Sequence, residues 1–91
     1  MAKQKKNTSG KGKSKVDYEK QIQNLAIRIK KLRIAKGYTS YEYFAYEHGF
    51  SRSQAGRFES GMDLRFTTLL RLAEAFDMTV DELLSEGFEK K

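Results

Sequence analysis

From Val16 onward, large apolar residues recur every three or four positions, whereas residues 1–15, MAKQKKNTSGKGKSK, hold none after Met1. That recurrence is the period of an α-helix, in which residues so spaced share one face. Ile22, Leu25, Ile29 and Leu32 form the first stripe; Asp17 is placed to cap its start and Gly37 to end it after Lys36. The pattern predicts a first helix over about 18–36, with Lys20, Arg28, Lys30, Lys31 and Lys36 on its wetter sides. Thr39 or Ser40 caps a second helix over about 41–48, whose inward face is Phe44, Ala45 and His48 and whose end is Gly49. Phe50 then points inward and Ser51 caps a third helix over about 52–59, with Ala55 and Phe58 buried and Gly61 closing it. After a loop from Met62 to Arg65, a fourth helix near 66–76 faces Leu69, Leu70, Ala73 and Phe76 inward. Thr79 caps a short fifth helix with Val80, Leu83 and Leu84 inward.

Five short helices joined by tight turns make an all-α bundle. Proline and cysteine are both absent, so neither disulfides nor thiolate ligands are available to staple the small core. Ninety-one residues suffice for one small domain. The folded unit is expected over 16–91, preceded by a disordered arm at 1–15 that cannot bury enough surface to offset its ordering entropy. The arm also changes the reading of the charge. The net +6 of the chain equals the six lysines Lys3, Lys5, Lys6, Lys11, Lys13 and Lys15, so the remainder is neutral. The arm therefore seeks a polyanion, while any claim for the folded part must come from pattern. No apolar run approaches the roughly 18 residues of a membrane span, and the N-terminal lysines precede no apolar stretch of a secretory signal. The expected compartment is the cytoplasm, in association with the nucleoid.

The informative stretch is the second helix, its glycine turn and the third helix, Tyr41 to Glu59. Two helices crossing through a tight turn need a small residue at the crossing, and Ala45 stands there. They need a left-handed backbone four residues later, which Gly49 adopts without steric cost. They need apolar residues to fill the wedge between them, and Phe44, Phe50 and Phe58 meet that need. Five separated requirements of a helix-turn-helix are met together.

With Ile29-Lys-Lys-Leu-Arg33, Phe44-Ala45, His48-Gly-Phe-Ser51, Arg57-Phe-Glu-Ser-Gly61 and Leu69-Leu-Arg-Leu-Ala73, the chain resembles the lambda-repressor/Cro-like (XRE-type) helix-turn-helix family over about residues 22–84. The resemblance implies a five-helix DNA-binding domain, commonly dimeric on a partly symmetric operator, with the third helix in the major groove. It implies base reading by Arg52, Ser53, Gln54 and Arg57, and backbone contacts from Ser40, Tyr41, Ser51 and Arg65. It also implies a structural ion pair between Arg33 and Glu59. The chemistry suits these roles. An arginine fork matches a guanine edge, and Gln54 could read adenine or bond a phosphate. Ser40 and Ser51 stand at helix starts, where free backbone N–H groups suit phosphate oxygens. Arg33 and Glu59 both flank apolar stripes, where an unpaired charge is costly. The chain departs from the family pattern at Tyr41, where glutamine is frequent, at Ala55, where a larger aliphatic is frequent, and at Gly56 inside the recognition helix. The connection between the first two helices is one residue longer than is common.

The reading is thus a transcriptional regulator binding double-stranded DNA, a repressor ahead of an activator, dimerising through Leu84 and Phe88. Its rival is an antitoxin-like protein-interaction module that clamps a partner such as a toxin and binds DNA only secondarily. A third reading has the arm and the aromatic residues of the second helix stacking on single-stranded RNA, but those aromatics fall mainly at core and rim spacings. Enzymatic chemistry has little to build on. His48 is the sole histidine and sits at a packing position, no serine has a base with an orienting partner, and no phosphate-cradling glycine motif is present. No metal site or cofactor is expected. Glu74, Asp77, Asp81, Glu82 and Glu86 are read as a solvated face turned away from DNA.

Overall fold

A computed structural model describes residues 17–88. The basic arm at 1–15 lies outside the described residues. Five helices follow in order: α1 (Tyr18–Ala35), α2 (Tyr41–His48), α3 (Arg52–Phe58), α4 (Phe66–Ala75) and α5 (Val80–Leu83). No strand occurs among the described residues, and no described helix is long and apolar enough to cross a membrane.

Local chemistry sets the helix starts. The Asp17 carboxylate accepts the Lys20 N–H at 3.0 Å. The Ser40 hydroxyl oxygen accepts the N–H groups of Glu42 and Tyr43. Ser51 and Thr79 each form a reciprocal capping box, with Gln54 and Glu82 respectively. Only α4 starts without a side-chain cap: Arg65 holds that position and makes no such bond.

Aromatic rings fill the core. Phe44, 1% exposed, stacks on Phe76 at 5.1 Å and lies 6.1 Å from Phe50, which meets Phe58 edge-on at 5.0 Å. Each such pair adds about 0.5–1.5 kcal/mol beyond the area it buries. Ile29, Leu72 and Leu83 close the core from α1, α4 and α5, and Ala45 and Ala55 let α2 and α3 approach. Gly49 ends α2 at φ 75°, and a Cβ there would meet nothing within 4 Å. What glycine supplies at this turn is backbone freedom rather than room. The turn is also held from outside. The Arg71 guanidinium donates to the Gly49 carbonyl at 3.1 Å and stacks over the Phe50 ring.

Three expectations need correction. Leu70 does not face inward: it is 46% exposed, while its neighbour but one, Leu72, is wholly buried. The buried stripe of α4 runs Leu69, Leu72, Ala73 and Phe76, and one residue of offset turns a side chain about 100° round the axis. Leu84 is likewise exposed, because α5 ends at Leu83 and the chain turns away. Arg28 is not on a wet face. Its Nε donates to the Leu83 carbonyl at 2.8 Å and its Nη2 to the Glu82 carbonyl at 2.9 Å, so it closes the C-terminus of α5 from α1.

The neighbouring leucines of α4 provide a test of this core. Leu72→Ala should cost about 2–5 kcal/mol in urea unfolding, through lost burial and the cavity left behind. Leu70→Ala should change stability by no more than about 0.5 kcal/mol. Equal costs would mean that α4 is rotated.

Candidate nucleic-acid interface

The recognition helix α3 has only seven residues, too few to hold a helix in water unaided. Its neighbours fix it at both ends. At the far end, Glu59 caps α3 and meets Arg33 of α1 in a two-pronged pair, Nε to Oε2 at 2.6 Å and Nη2 to Oε1 at 3.0 Å. The third arginine nitrogen, Nη1, donates to the Tyr38 carbonyl at 2.7 Å. Both side chains are almost buried, with 5% and 11% of their surface exposed, so the charges are desolvated but fully partnered.

At the near end, Ser51 and Gln54 exchange bonds. The Ser51 hydroxyl oxygen accepts the Gln54 N–H, and Gln54 Oε1 accepts the Ser51 N–H at 2.8 Å. Gln54 is therefore partly committed to the cap, and Nε2 is the group it has free. An amide that can donate but whose oxygen is committed suits phosphate oxygens or base acceptors better than the two-point reading of adenine, which needs an acceptor as well.

Between these ends lies Tyr41. Its ring rests against α3 beside Gly56, where an added Cβ would sit 3.6–3.7 Å from the ring atoms. That is ordinary contact distance, so no described residue requires glycine at 56, although glycine inside a helix costs about 1 kcal/mol relative to alanine. The tyrosine that stands where the family often has glutamine thus leans on the recognition helix. It contributes to the core as a partly buried ring.

With Ala55 and Phe58 turned inward, the remaining side chains of α3 face out. Arg52, Ser53 and Arg57 are exposed, and Gln54 is half-buried. Arg57 and Gln54 line an open groove with Met62, Leu64 and Arg65 from the loop before α4. Arg65 is exposed, and so is Ser51. The Ser40 hydroxyl is occupied: besides accepting from its own helix it donates to Glu42 Oε1 at 3.0 Å. The eight residues of the base and backbone sets thus lie at the starts of α2 and α3, along the outer side of α3 and in the adjoining loop.

Residues outside this face take other roles. His48 is half-buried, packs on Phe44 and sits with Nε2 3.3 Å from the Tyr38 hydroxyl, which makes it a packing residue. Tyr43 and Tyr46, at 55% and 82% exposure, are not core aromatics. The acidic residues Glu74, Asp77, Asp81, Glu82 and Glu86 are all exposed, with Asp77 paired to Lys36 and Glu86 to Arg28. Among the described residues, no group of three or more potential metal ligands is assembled. Sequence reasoning missed Arg28 and Arg71, since neither spacing nor neighbours signal that a guanidinium will reach a carbonyl on another helix.

Removing one side of the Arg33–Glu59 pair leaves the other charge stranded. Glu59→Ala should cost about 3–5 kcal/mol in denaturant unfolding, a large part of a small domain's total stability. Replacing both residues together, Arg33→Met with Glu59→Leu, should recover most of that loss. If Glu59→Ala unfolds at the same denaturant concentration as the wild type, the pair does not anchor α3.

Comparison with known proteins adds the last element. Searches of curated proteins and of solved structures each returned no significant match. A model of the family described as helix-turn-helix matches residues 29–83, from the middle of α1 to the last residue of α5. That match covers more than half of the chain and spans the turn at Gly49, the aromatic wedge and the anchored third helix. The chain belongs to the helix-turn-helix family of the XRE, or lambda-repressor-like, kind, a family of DNA-binding domains.

Proposed function

We propose that the protein is a sequence-specific regulator of transcription that enters the major groove of double-stranded DNA with α3. The observation carrying this reading is the division of α3 into two faces. Ala55 and Phe58 are buried, whereas Arg52, Ser53 and Arg57 are exposed on a helix whose two ends are pinned. Rigid placement matters because a base-reading side chain must meet donors and acceptors fixed in the groove. Arg52 and Arg57 read guanine edges, Ser53 contacts an adjacent base, and Gln54 contributes its free amide. Ser40, Tyr41, Ser51 and Arg65 lie along the phosphates, with Ser40 and Ser51 standing at helix starts whose partial positive charge suits phosphate oxygens. These contacts set register, and the arginines set sequence.

Regulation follows by occupancy. A homodimer places two recognition helices about 34 Å apart, one turn of B-DNA, and a bound site obstructs polymerase. Exposed Leu84 and half-buried Phe88 are the contacts proposed between copies. The arm's six lysines add a sequence-blind attraction to phosphate.

Selection from a random duplex pool at about 0.15 M salt tests the reading, at a concentration where arm-phosphate attraction is partly screened. Enrichment of a pseudo-palindrome is expected. No enrichment by folded protein overturns the proposal and favours a protein-interaction module, such as an antitoxin clamping its toxin. On the enriched site, Arg57→Ala should relax preference at one base pair per half-site by a factor equivalent to about 1–3 kcal/mol. Lys13→Ala should instead weaken binding evenly across sequences and lower the salt slope by about one. Unchanged base preference in Arg57→Ala would remove that arginine from the base-reading set.

A further inference from the structure

Glu42 is an acidic residue at the edge of a surface proposed to meet phosphates, and both of its carboxylate oxygens are engaged. Oε1 accepts the Ser40 hydroxyl at 3.0 Å, and Oε2 lies 3.2 Å from Arg52 Nε as an ion pair. Ser40 is itself fixed, since its oxygen accepts the N–H groups of Glu42 and Tyr43. The carboxylate is therefore tied to the cap of α2. Arg52 is the first residue of α3, so the pair bridges the first turns of both helices of the motif.

Stability is a poor account of this bridge. The two side chains are 79% and 45% exposed, and ion pairs in such surroundings contribute little. Its effect on DNA recognition is more consequential. An exposed arginine ranges over many rotamers, and that freedom must be lost when it meets a base. Holding Nε against a fixed carboxylate removes part of the loss beforehand. It also leaves Nη1 and Nη2 as the free pair, an end-on fork that matches the O6 and N7 acceptors of guanine. The carboxylate acts on competing sites in the opposite sense. Close to the phosphates, the Glu42 charge offsets that of Arg52, so docking held by phosphate contacts alone gains nothing from this arginine.

We infer that Glu42 is a specificity-determining positioning residue, which aims Arg52 end-on at a guanine edge and penalises binding held by phosphate contacts alone. The inference rests on the DNA-reading proposal above. It assigns the recognition surface a residue that touches no base and whose charge is unfavourable to DNA in general.

The test uses the full chain on three kinds of duplex: the selected site, the same site with each base pair changed in turn, and random sequence. Wild type, Glu42→Ala, Glu42→Gln and Arg52→Ala are compared, with unfolding midpoints measured alongside. Glu42→Ala is expected to lose about tenfold discrimination at one base pair per half-site, the same pair at which Arg52→Ala loses it. Its affinity for random duplex should rise. Glu42→Gln keeps an oxygen acceptor for Arg52 but not the charge, so it should retain part of the discrimination and still bind random duplex more tightly. A Glu42→Ala profile identical to wild type overturns the inference alone, as does an equal loss of affinity on every duplex. Wild-type protein that shows no preference among duplexes overturns the DNA-reading proposal and the inference with it.

Discussion

The arrangement of the whole recognition unit depends on one buried ion pair. Arg33 near the end of α1 reaches across to Glu59, just beyond α3, and spends its third nitrogen on the carbonyl of Tyr38. Two charges taken out of water are tolerable only when each is fully partnered, and this geometry leaves neither free. The consequence is positional. A seven-residue helix with little intrinsic stability acquires a fixed C-terminal end, while the Ser51–Gln54 capping box and the ring of Tyr41 fix the rest. Arg71, bonded to the Gly49 carbonyl, braces the turn from which α3 leaves. The exposed face of α3 is therefore held by contacts from α1, α2 and α4 rather than by its own propensity.

The same economy shows in how arginine is used. Arg28, Arg33 and Arg71 each accept a structural task, closing a carbonyl or pairing a carboxylate across helices. Arg52, Arg57 and Arg65 lie exposed on or beside α3. Two populations of the same residue type, distinguished by whether the guanidinium reaches a backbone carbonyl of another segment, separate scaffold from recognition surface. Net charge could not make that distinction, because the chain outside the arm is neutral.

What the sequence discloses depends on the range of the interaction. Asp17, Ser40, Ser51 and Thr79 were legible as caps because a cap acts on residues two or three positions away. Ala45, Gly49 and the phenylalanine wedge were legible because a helix crossing imposes size and backbone constraints at set steps. Long-range reach was not legible. The bonds of Arg28 to α5 and of Arg71 to the Gly49 turn connect residues 55 and 22 positions apart. Nor was the double use of Gln54 as cap and candidate DNA contact. The placing of Leu70 inside rather than Leu72 reflects a different limit: in the run Leu69-Leu70-Arg71-Leu72 two helical stripes are equally apolar, and only packing into the shared core selects between them. Asp77 is a similar case, adopting φ 57° after α4 where a glycine would have announced the turn.

A pinned α3 is the surface proposed to meet the duplex. Amide chemical-shift mapping during titration with duplex DNA, at about 0.15 M salt to limit non-specific attraction, tests it most directly. The largest changes are expected on Arg52 to Arg57, on Ser40 and Tyr41, and on Arg65, while the exposed acids from Glu74 to Glu86 stay unmoved. Changes confined to the lysines of residues 1–15, or centred on the C-terminal acidic face, would contradict it.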